Sequence, residues 1–583
     1  MVRASRFVLA AAVLAALSAC ATQQDDTHLA AAGAPGSANV AGAPADTSVY
    51  GLYLAGHAAF DAGDNRAAAE LFGRASDRNP DAAYLRDRTF SAALMSGDVA
   101  RAAQLSSQLD PSDPGAKVLG VLARSVEALA QGKGEQAYQE IDRAGDLGRG
   151  AGGVALAVAL LKPWAAAAAG RTELSISTPL VQERLTRLIA SIGQGLLMER
   201  AHRYSEAETT FKALLNDRVS LPLVGAAYGP FLERRGRRQE ALALYDQVLA
   251  ASSDDAEIAI ARARVLAKGA APPPPTVREG AAGALLVPAA VVLADKEQEV
   301  GLIYLRLTLR LDPNQTEAWM LLGDALTGLN DTAGARAAYG QVGPKAAHYV
   351  EARSRLAWSW QADDKEQALK IARQAVEDRP ASQEAKLTLA DLLRADERFE
   401  ESAKVLDPLI ASAQGQDVWR LHYMRGLALE RSGQWPAAER DLQKALELRP
   451  NSPEVLNYLG YSWVNRGTRV KEGLAMIEKA LATQPDEGAY VDSLGWAYFK
   501  LGDYKRSVEY LERAATLDAG DAEINDHLGD VYWRLGRRDE AKFQWRAVLT
   551  MKPTDDIKAR VETKLASPDG LDGLTRPPTV ASN

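Results

Sequence analysis

Residues 419–452 read W-R-L-H-Y-M-R-G-L-A-L-E-R-S-G-Q-W-P-A-A-E-R-D-L-Q-K-A-L-E-L-R-P-N-S, and this stretch decides the fold. Apolar residues recur at helical spacing on both sides of Gly433, which predicts two helices joined by a short turn. Gly426, Ala438 and Ala445 are small where antiparallel helices must approach, and Leu429 and Leu442 fill the space beside them. Gly433 can take the left-handed conformation that ends the first helix, while Pro450 cannot continue the second. A single hairpin leaves an apolar face uncovered, so hairpins must stack.

The pattern extends outward from this segment. Gly426, Gly460, Gly495 and Gly529 stand 34, 35 and 34 residues apart. The same register places hairpins near Val49, Ala83, Lys117, Gly152, Leu188, Pro222, Ala256, Thr316, Val350, Gln383, Trp419, Pro453, Gly488 and Ala522. Those starting at 83, 117 and 152 keep fewer of the small-residue sites. One extra residue between Gly467 and Gly473 predicts a lengthened turn in the unit at 453. The register is interrupted over 256–315: a helix ends near Lys268, four prolines at 272–275 favour an extended segment, and a helical pair resumes after Gly280.

Small residues at positions 8, 20 and 27 of the 419–452 unit, with Pro450 at position 32, resemble the tetratricopeptide repeat (TPR). The resemblance implies an all-α protein, a right-handed α-solenoid of about 12 to 14 hairpins. Nine of the ten tryptophans lie between Trp319 and Trp545, so the tightest stacking and the binding surface are expected in the C-terminal half.

The N-terminus carries the second decisive pattern. Arg3 and Arg6 precede an apolar stretch at 7–17, too short for a stable membrane span, followed by Leu17-Ser18-Ala19-Cys20. This resembles a bacterial lipoprotein signal, which implies cleavage before Cys20 and lipid attachment to its sulfur. Cys20 is the sole cysteine, so no internal disulfide is possible. More than one acyl chain makes such anchoring stable. Ala21 rather than Asp after the cysteine implies, by the enterobacterial rule, sorting to the outer membrane, with the protein facing the periplasm. Residues 20–48 read as the lipidated cysteine and a flexible tether spanning about 30 Å. The remaining organisation is an N-terminal array at 49–255, the interrupted repeat at 256–315 and a C-terminal array at 316–553. A capping helix from 554 and a disordered tail complete the chain at 583.

Charge excludes a nucleic-acid role: the net value is −8, and loss of Arg3 and Arg6 with the signal makes it −10. Arg234, Arg235, Arg237 and Arg238 read as a solvated inter-helix turn. No phosphate-binding loop, zinc-protease motif or nucleophile elbow occurs. The six histidines are scattered, with none three or four residues from another, so no metal site, cofactor or catalytic activity is expected beyond the covalent lipid. Asp363 and Asp364 read as helix caps.

Function must then reside in surface. In TPR arrays the first helix of each unit lines the concave face, with positions 2, 5, 9, 12 and 13 toward the ligand. Carried onto this chain, the resemblance points to Tyr423 and Arg431, then Asn457, Tyr461 and Asn465, then Asp492, Trp496, Phe499 and Lys500, then Asp526, Asp530, Trp533 and Arg534. The chain lacks the full set of lysines and asparagines with which some TPRs grip a partner's C-terminal carboxylate. The block L-G-Y-S-W-V-N-R-G from Leu459, Y-V-D-S-L-G-W-A-Y-F-K-L-G from Tyr490 and N-D-H-L-G-D-V-Y-W-R-L-G from Asn525 is similar to a group of long Gram-negative TPR lipoproteins. One member of that group binds and activates a periplasmic carboxyl-terminal processing protease that degrades peptidoglycan-cleaving hydrolases. The resemblance therefore implies a membrane-anchored adaptor for periplasmic or envelope proteins. A structural part of an envelope assembly, export or secretion machine is the alternative reading.

Overall fold

A computed structural model describes residues 44, 46–109, 114–144, 152–177, 184–215, 221–253, 255–413, 415 and 418–575. Cys20, the signal segment and nearly all of the tether lie outside the described residues, as do 576–583. The described chain is helical, without strands, and divides into two compact units, Met1–Pro380 and Ala381–Asn583. The sequence divisions at 255 and 315 fall inside the first unit.

In the first unit the helices are α1 (Val49–Asp61), α2 (Asn65–Arg78), α3 (Ala83–Ser96), α4 (Val99–Leu105), α5 (Pro114–Ala130), α6 (Gly134–Arg143), α7 (Gly152–Ala168), α8 (Thr172–Ser175), α9 (Arg184–Arg200), α10 (Tyr204–Leu214), α11 (Leu221–Arg234), α12 (Arg238–Ala251), α13 (Ala256–Leu266), α14 (Val277–Ala294), α15 (Gln298–Leu311), α16 (Thr316–Gly328), α17 (Thr332–Gly340), α18 (Tyr349–Trp360) and α19 (Lys365–Asp378). The second unit holds α20 (Gln383–Ala395), α21 (Phe399–Ser412), α22 (Val418–Arg431), α23 (Trp435–Leu448), α24 (Pro453–Asn465), α25 (Val470–Thr483), α26 (Gly488–Lys500), α27 (Tyr504–Leu517), α28 (Ala522–Arg534), α29 (Arg538–Val548) and α30 (Asp555–Ala566).

The local reasons for this order recur from hairpin to hairpin. Gly433 has φ +80°, so the first helix of its hairpin ends in the left-handed region. Aspartates in the inter-helix turns then start the second helices: Asp64 Oδ1 accepts the Ala67 amide at 2.9 Å, and Asp364 Oδ1 accepts that of Gln367 at 2.9 Å. A Cβ on Gly426 would lie 2.9 Å from the Leu442 side chain, and one on Gly460 would lie 2.7 Å from the Gly473 carbonyl oxygen. The small residues are therefore required for helix approach. The lengthened turn spans 466–469, and its extra residue is absorbed by Arg469 at φ 47°.

Two features of the first unit depart from a simple stack. The α14–α15 hairpin returns to helices far back in the sequence: Arg306 Nε donates to the Met95 carbonyl at 3.0 Å, and Arg310 pairs with Glu127 at 2.8 Å. Helix α14 packs on α7; its 18 residues and mean hydropathy of 1.6 suit a membrane span by length and composition only, a test that a core helix also passes. The basic cluster is not simply solvated. Arg234 grips Glu199 through two bonds of 2.6 and 2.8 Å, Arg235 stacks on Tyr204, Arg237 pairs with Glu208 and Glu240, and Arg238 holds the Gly269 carbonyl. These contacts fasten the proline segment to the array, because Arg234 and Arg200 also donate to the carbonyls of Pro272 and Pro275.

The second unit closes at its C-terminal end over a core that includes Trp545, Val548 and Val561, all fully buried. Burying each such side chain stabilises by about 1.5–3 kcal/mol. Residues 567–575, expected to belong to a disordered tail, form a turn and a short 3-10 helix at Gly570–Thr575 with Leu571 buried.

Candidate partner-binding surface

The last repeat shows what its ligand face meets. Asp526 and Asp530 lie one helical turn apart on α28, and α30 presents Arg560 and Lys564 at the same spacing. Lys564 Nζ donates to Asp526 Oδ1 and Asp530 Oδ1, both at 2.6 Å, and Arg560 Nε donates to Asp526 Oδ2 at 2.7 Å. Trp545 Nε1 donates to Asp530 at 3.1 Å. Burial raises the Asp530 carboxyl to about 6 despite the Lys564 ammonium beside it. Trp533 Nε1 donates to Asp572 at 3.1 Å, and Arg534 pairs with the same carboxylate. Asp526, Asp530 and Trp533 are thus engaged by the chain's own C-terminal segment, where the sequence pointed to an open groove; Arg534 keeps exposed surface.

The next helix inward is also largely internal. Asp492 on α26 accepts from His527 Nδ1 at 3.0 Å, and both are buried. Burial opposes the imidazolium, but the surrounding acids, Asp492 first and then Glu523 and Asp526, together raise the His527 pKa. Trp496 is sandwiched between His527, at 3.9 Å, and Phe499, at 4.6 Å between ring centroids. Its indole donates to Asn465 Oδ1 at 3.3 Å. Phe499 is half-buried. Lys500 is exposed, with its ammonium 5.4 Å from the Trp496 ring centre.

Helices α22 and α24 differ. Tyr423, Asn457 and Tyr461 are half-buried, and Arg431 and Asn465 are exposed. The Tyr461 hydroxyl donates to Glu523 at 3.0 Å, with burial raising its pKa well above the ordinary tyrosine value. Arg431 rests over Phe399 at 5.3 Å. Tyr423 packs edge-on against Tyr458 at 6.1 Å. The Asn457 side-chain oxygen is buried and accepts no hydrogen bond among the described residues. A buried acceptor without a donor costs about 1–3 kcal/mol, so this atom is suited to a donor from outside the chain.

Sequence reasoning passed over neighbours on the same face. Asp391 and Arg394, on α20, hold positions 9 and 12 of the repeat at Gln383, and pair at 3.7 Å. Burial raises the Asp391 carboxyl. The repeat register was the signal that could have found them. Arg560, on α30, retains one buried guanidinium nitrogen without a partner. The described histidines serve local contacts: His57 with Tyr53, His202 with Tyr204, His348 with Glu351, His422 with Asp441 and His527 with Asp492. Among the described residues no group of three metal-ligating side chains is assembled.

Tetratricopeptide-repeat family models match residues 278–552, 53–117 and 231–259. TPR repeat-containing protein PA4667 of Pseudomonas aeruginosa is 34% identical over 110 residues, 19% of this chain and 18% of that protein. Tetratricopeptide repeat protein 13 of Homo sapiens is 32% identical over 112 residues, 18% of this chain and 13% of its own. The match thus spans less than a fifth of either relative. Among solved structures, the Cut9–Hcn1 hetero-tetramer of the APC/C aligns at 13% identity over 88% of this chain and 96% of that one, with a TM-score of 0.35. A tetratricopeptide repeat protein from Parabacteroides merdae aligns at 15% identity over 42% and 96%, with a TM-score of 0.38.

Proposed function

We propose that this tetratricopeptide-repeat protein is a scaffold, tethered to the outer membrane through lipid on Cys20, that holds a protein partner in the periplasm. The partner the sequence resemblance favours is a carboxyl-terminal processing protease acting on cell-envelope hydrolases. The observation that carries the binding reading is Asn457: a buried side-chain oxygen with no donor among the described residues, at the repeat position that Tyr423 holds one unit earlier, with Asp391 and Arg394 at ligand-face positions of the unit before that. An extended peptide supplies backbone N–H donors of the kind this atom lacks, and the half-buried tyrosines supply apolar area at small entropic cost.

The test uses the purified protease from the same cells, with affinity read by biolayer interferometry. Asn457→Leu weakens binding about tenfold or more, the equivalent of one lost hydrogen bond to a buried acceptor. Absence of binding to the unaltered chain would refute the protease reading. Binding indifferent to both Asn457→Leu and Tyr423→Ala would remove this face as the site. Anchoring is tested separately: Cys20→Ser abolishes palmitate labelling and releases the chain from membranes, and retention in the membrane fraction refutes it.

A further inference from the structure

A second site lies in the first unit, whereas the face just described belongs to the second. Helices α9, α11 and α13 face α14 across a cavity of about 830 Å³. Small-molecule sites occupy roughly 300–1,000 Å³. Leu196, Leu223, Ala227, Ile260, Val287 and Ala290 line it, and each keeps part of its apolar surface uncovered. Ile260 remains 39% exposed. Pro272, Pro273 and Pro275 form a further wall, held in place by the arginine bonds to the Pro272 and Pro275 carbonyls. The cavity is therefore a built feature with a fixed boundary.

The charges that reach it are unequal in their pairing. Arg234 and Arg264 line the cavity but are already held by Glu199 and Glu233, at 2.6 Å each. Glu257 and Glu317 line it too, and neither makes a hydrogen bond or ion pair with another described residue. Burial raises both carboxyl pKa values against the pull of the His348 imidazole, although Glu257 is exposed at the surface and Glu317 half-buried. Lys345 and His348 share this rim, with His348 3.3 Å from Glu351.

We propose that this cavity binds a long-chain amphiphile, its hydrocarbon tail between α9, α11 and α14 and a positively charged head at Glu257 and Glu317. The tail meets the uncovered aliphatic surface, and the head meets two carboxylates that no ion pair holds, beside a His348 ring that Glu351 already engages. Carboxylate-headed chains are disfavoured there, because they meet Glu257 and Glu317 and find both arginines occupied, with only the Lys345 ammonium left at the rim. Each methylene added to the tail tightens binding about fourfold until the cavity is filled.

The test is isothermal titration of the full chain with decylamine, dodecylamine and dodecanoate, all below their micellar concentrations. One saturable site is expected, with dodecylamine tighter than decylamine and at least tenfold tighter than dodecanoate. The paired substitution Glu257→Gln and Glu317→Gln removes the preference for the amine, and Ala227→Trp, which fills the space, abolishes binding. If Ala227→Trp loses helical circular dichroism, Ile260→Gln, at a partly exposed position, takes its place and weakens binding at least tenfold. No saturable heat, equal affinity for the two head groups, or binding unchanged in both cavity variants overturns the proposal. The protease-binding assay is unaffected by either result, since its residues lie in the other unit.

Discussion

Lys564→Met tests whether the last repeat is closed by charge. Lys564 is 1% exposed by side chain and bridges Asp526 and Asp530. Methionine preserves the apolar stem, so the substitution removes the ammonium with little change in packing. The Asp530 share of the cost has a ceiling: deprived of its partner, the carboxyl can take up a proton instead of remaining bare. At pH 7 that is one unit above its value of about 6, or roughly 1.4 kcal/mol. Asp526 keeps Arg560 but loses one charge-assisted hydrogen bond, about 1.5–3 kcal/mol. The sum, about 3–4 kcal/mol, agrees with the cost of breaking a buried ion pair by removing one partner. Hydrogen exchange in α30 reads it directly as local opening. At pH 7, amides of Asp555–Ala566 should exchange roughly a hundredfold faster or more, while α20–α23 are unchanged. At pH 5 the Asp530 share disappears, since its carboxyl is already protonated, and the difference shrinks after correction for intrinsic rates. An acceleration below about tenfold at pH 7, or one of equal size at both pH values, refutes the reasoning.

Three further outcomes follow from the same geometry. The Asp530 carboxyl is raised from 3.8 to about 6, so the folded state keeps a proton the unfolded chain has lost. Its contribution is most favourable below about pH 4 and is lost as pH rises to about 6; Asp530→Asn should flatten that slope in α30 exchange. Gly460→Ala places a methyl 2.7 Å from the Gly473 carbonyl oxygen, and should cost about 1–3 kcal/mol in urea unfolding of the second unit. Arg234→Met leaves Glu199, 3% exposed, without its bidentate partner and frees the Pro272 carbonyl. A loss of about 3–5 kcal/mol is expected around α9 and α11, with new protease cleavage between Gly269 and Thr276.

The fold was legible because a helical period and small residues at contact points are local statements. Helices begin at Val49, Ala83, Gly152, Ala256, Thr316, Gln383, Pro453, Gly488 and Ala522, where the glycine register placed hairpins, and within four residues elsewhere. What lies across from a helix face is not local. Asp526 and Asp530 occupy the same positions whether they meet a partner or Lys564, and the partner here stands 34 to 38 residues away. The α14–α15 return depends on contacts 183 and 211 residues apart, beyond any repeat period. One part of the closure could have been read from the sequence. Arg560 and Lys564 are four residues apart on a helix whose Val561 and Leu565 turn inward, and the preceding repeat offers two aspartates, also four apart, on its ligand face. Two cations on the inward side of a terminal helix require carboxylates opposite them, because a buried charge without a partner is too costly to persist. That condition moves the search for a bound protein inward from the end of the array, to the faces of α20, α22 and α24, where Asn457 still lacks a donor.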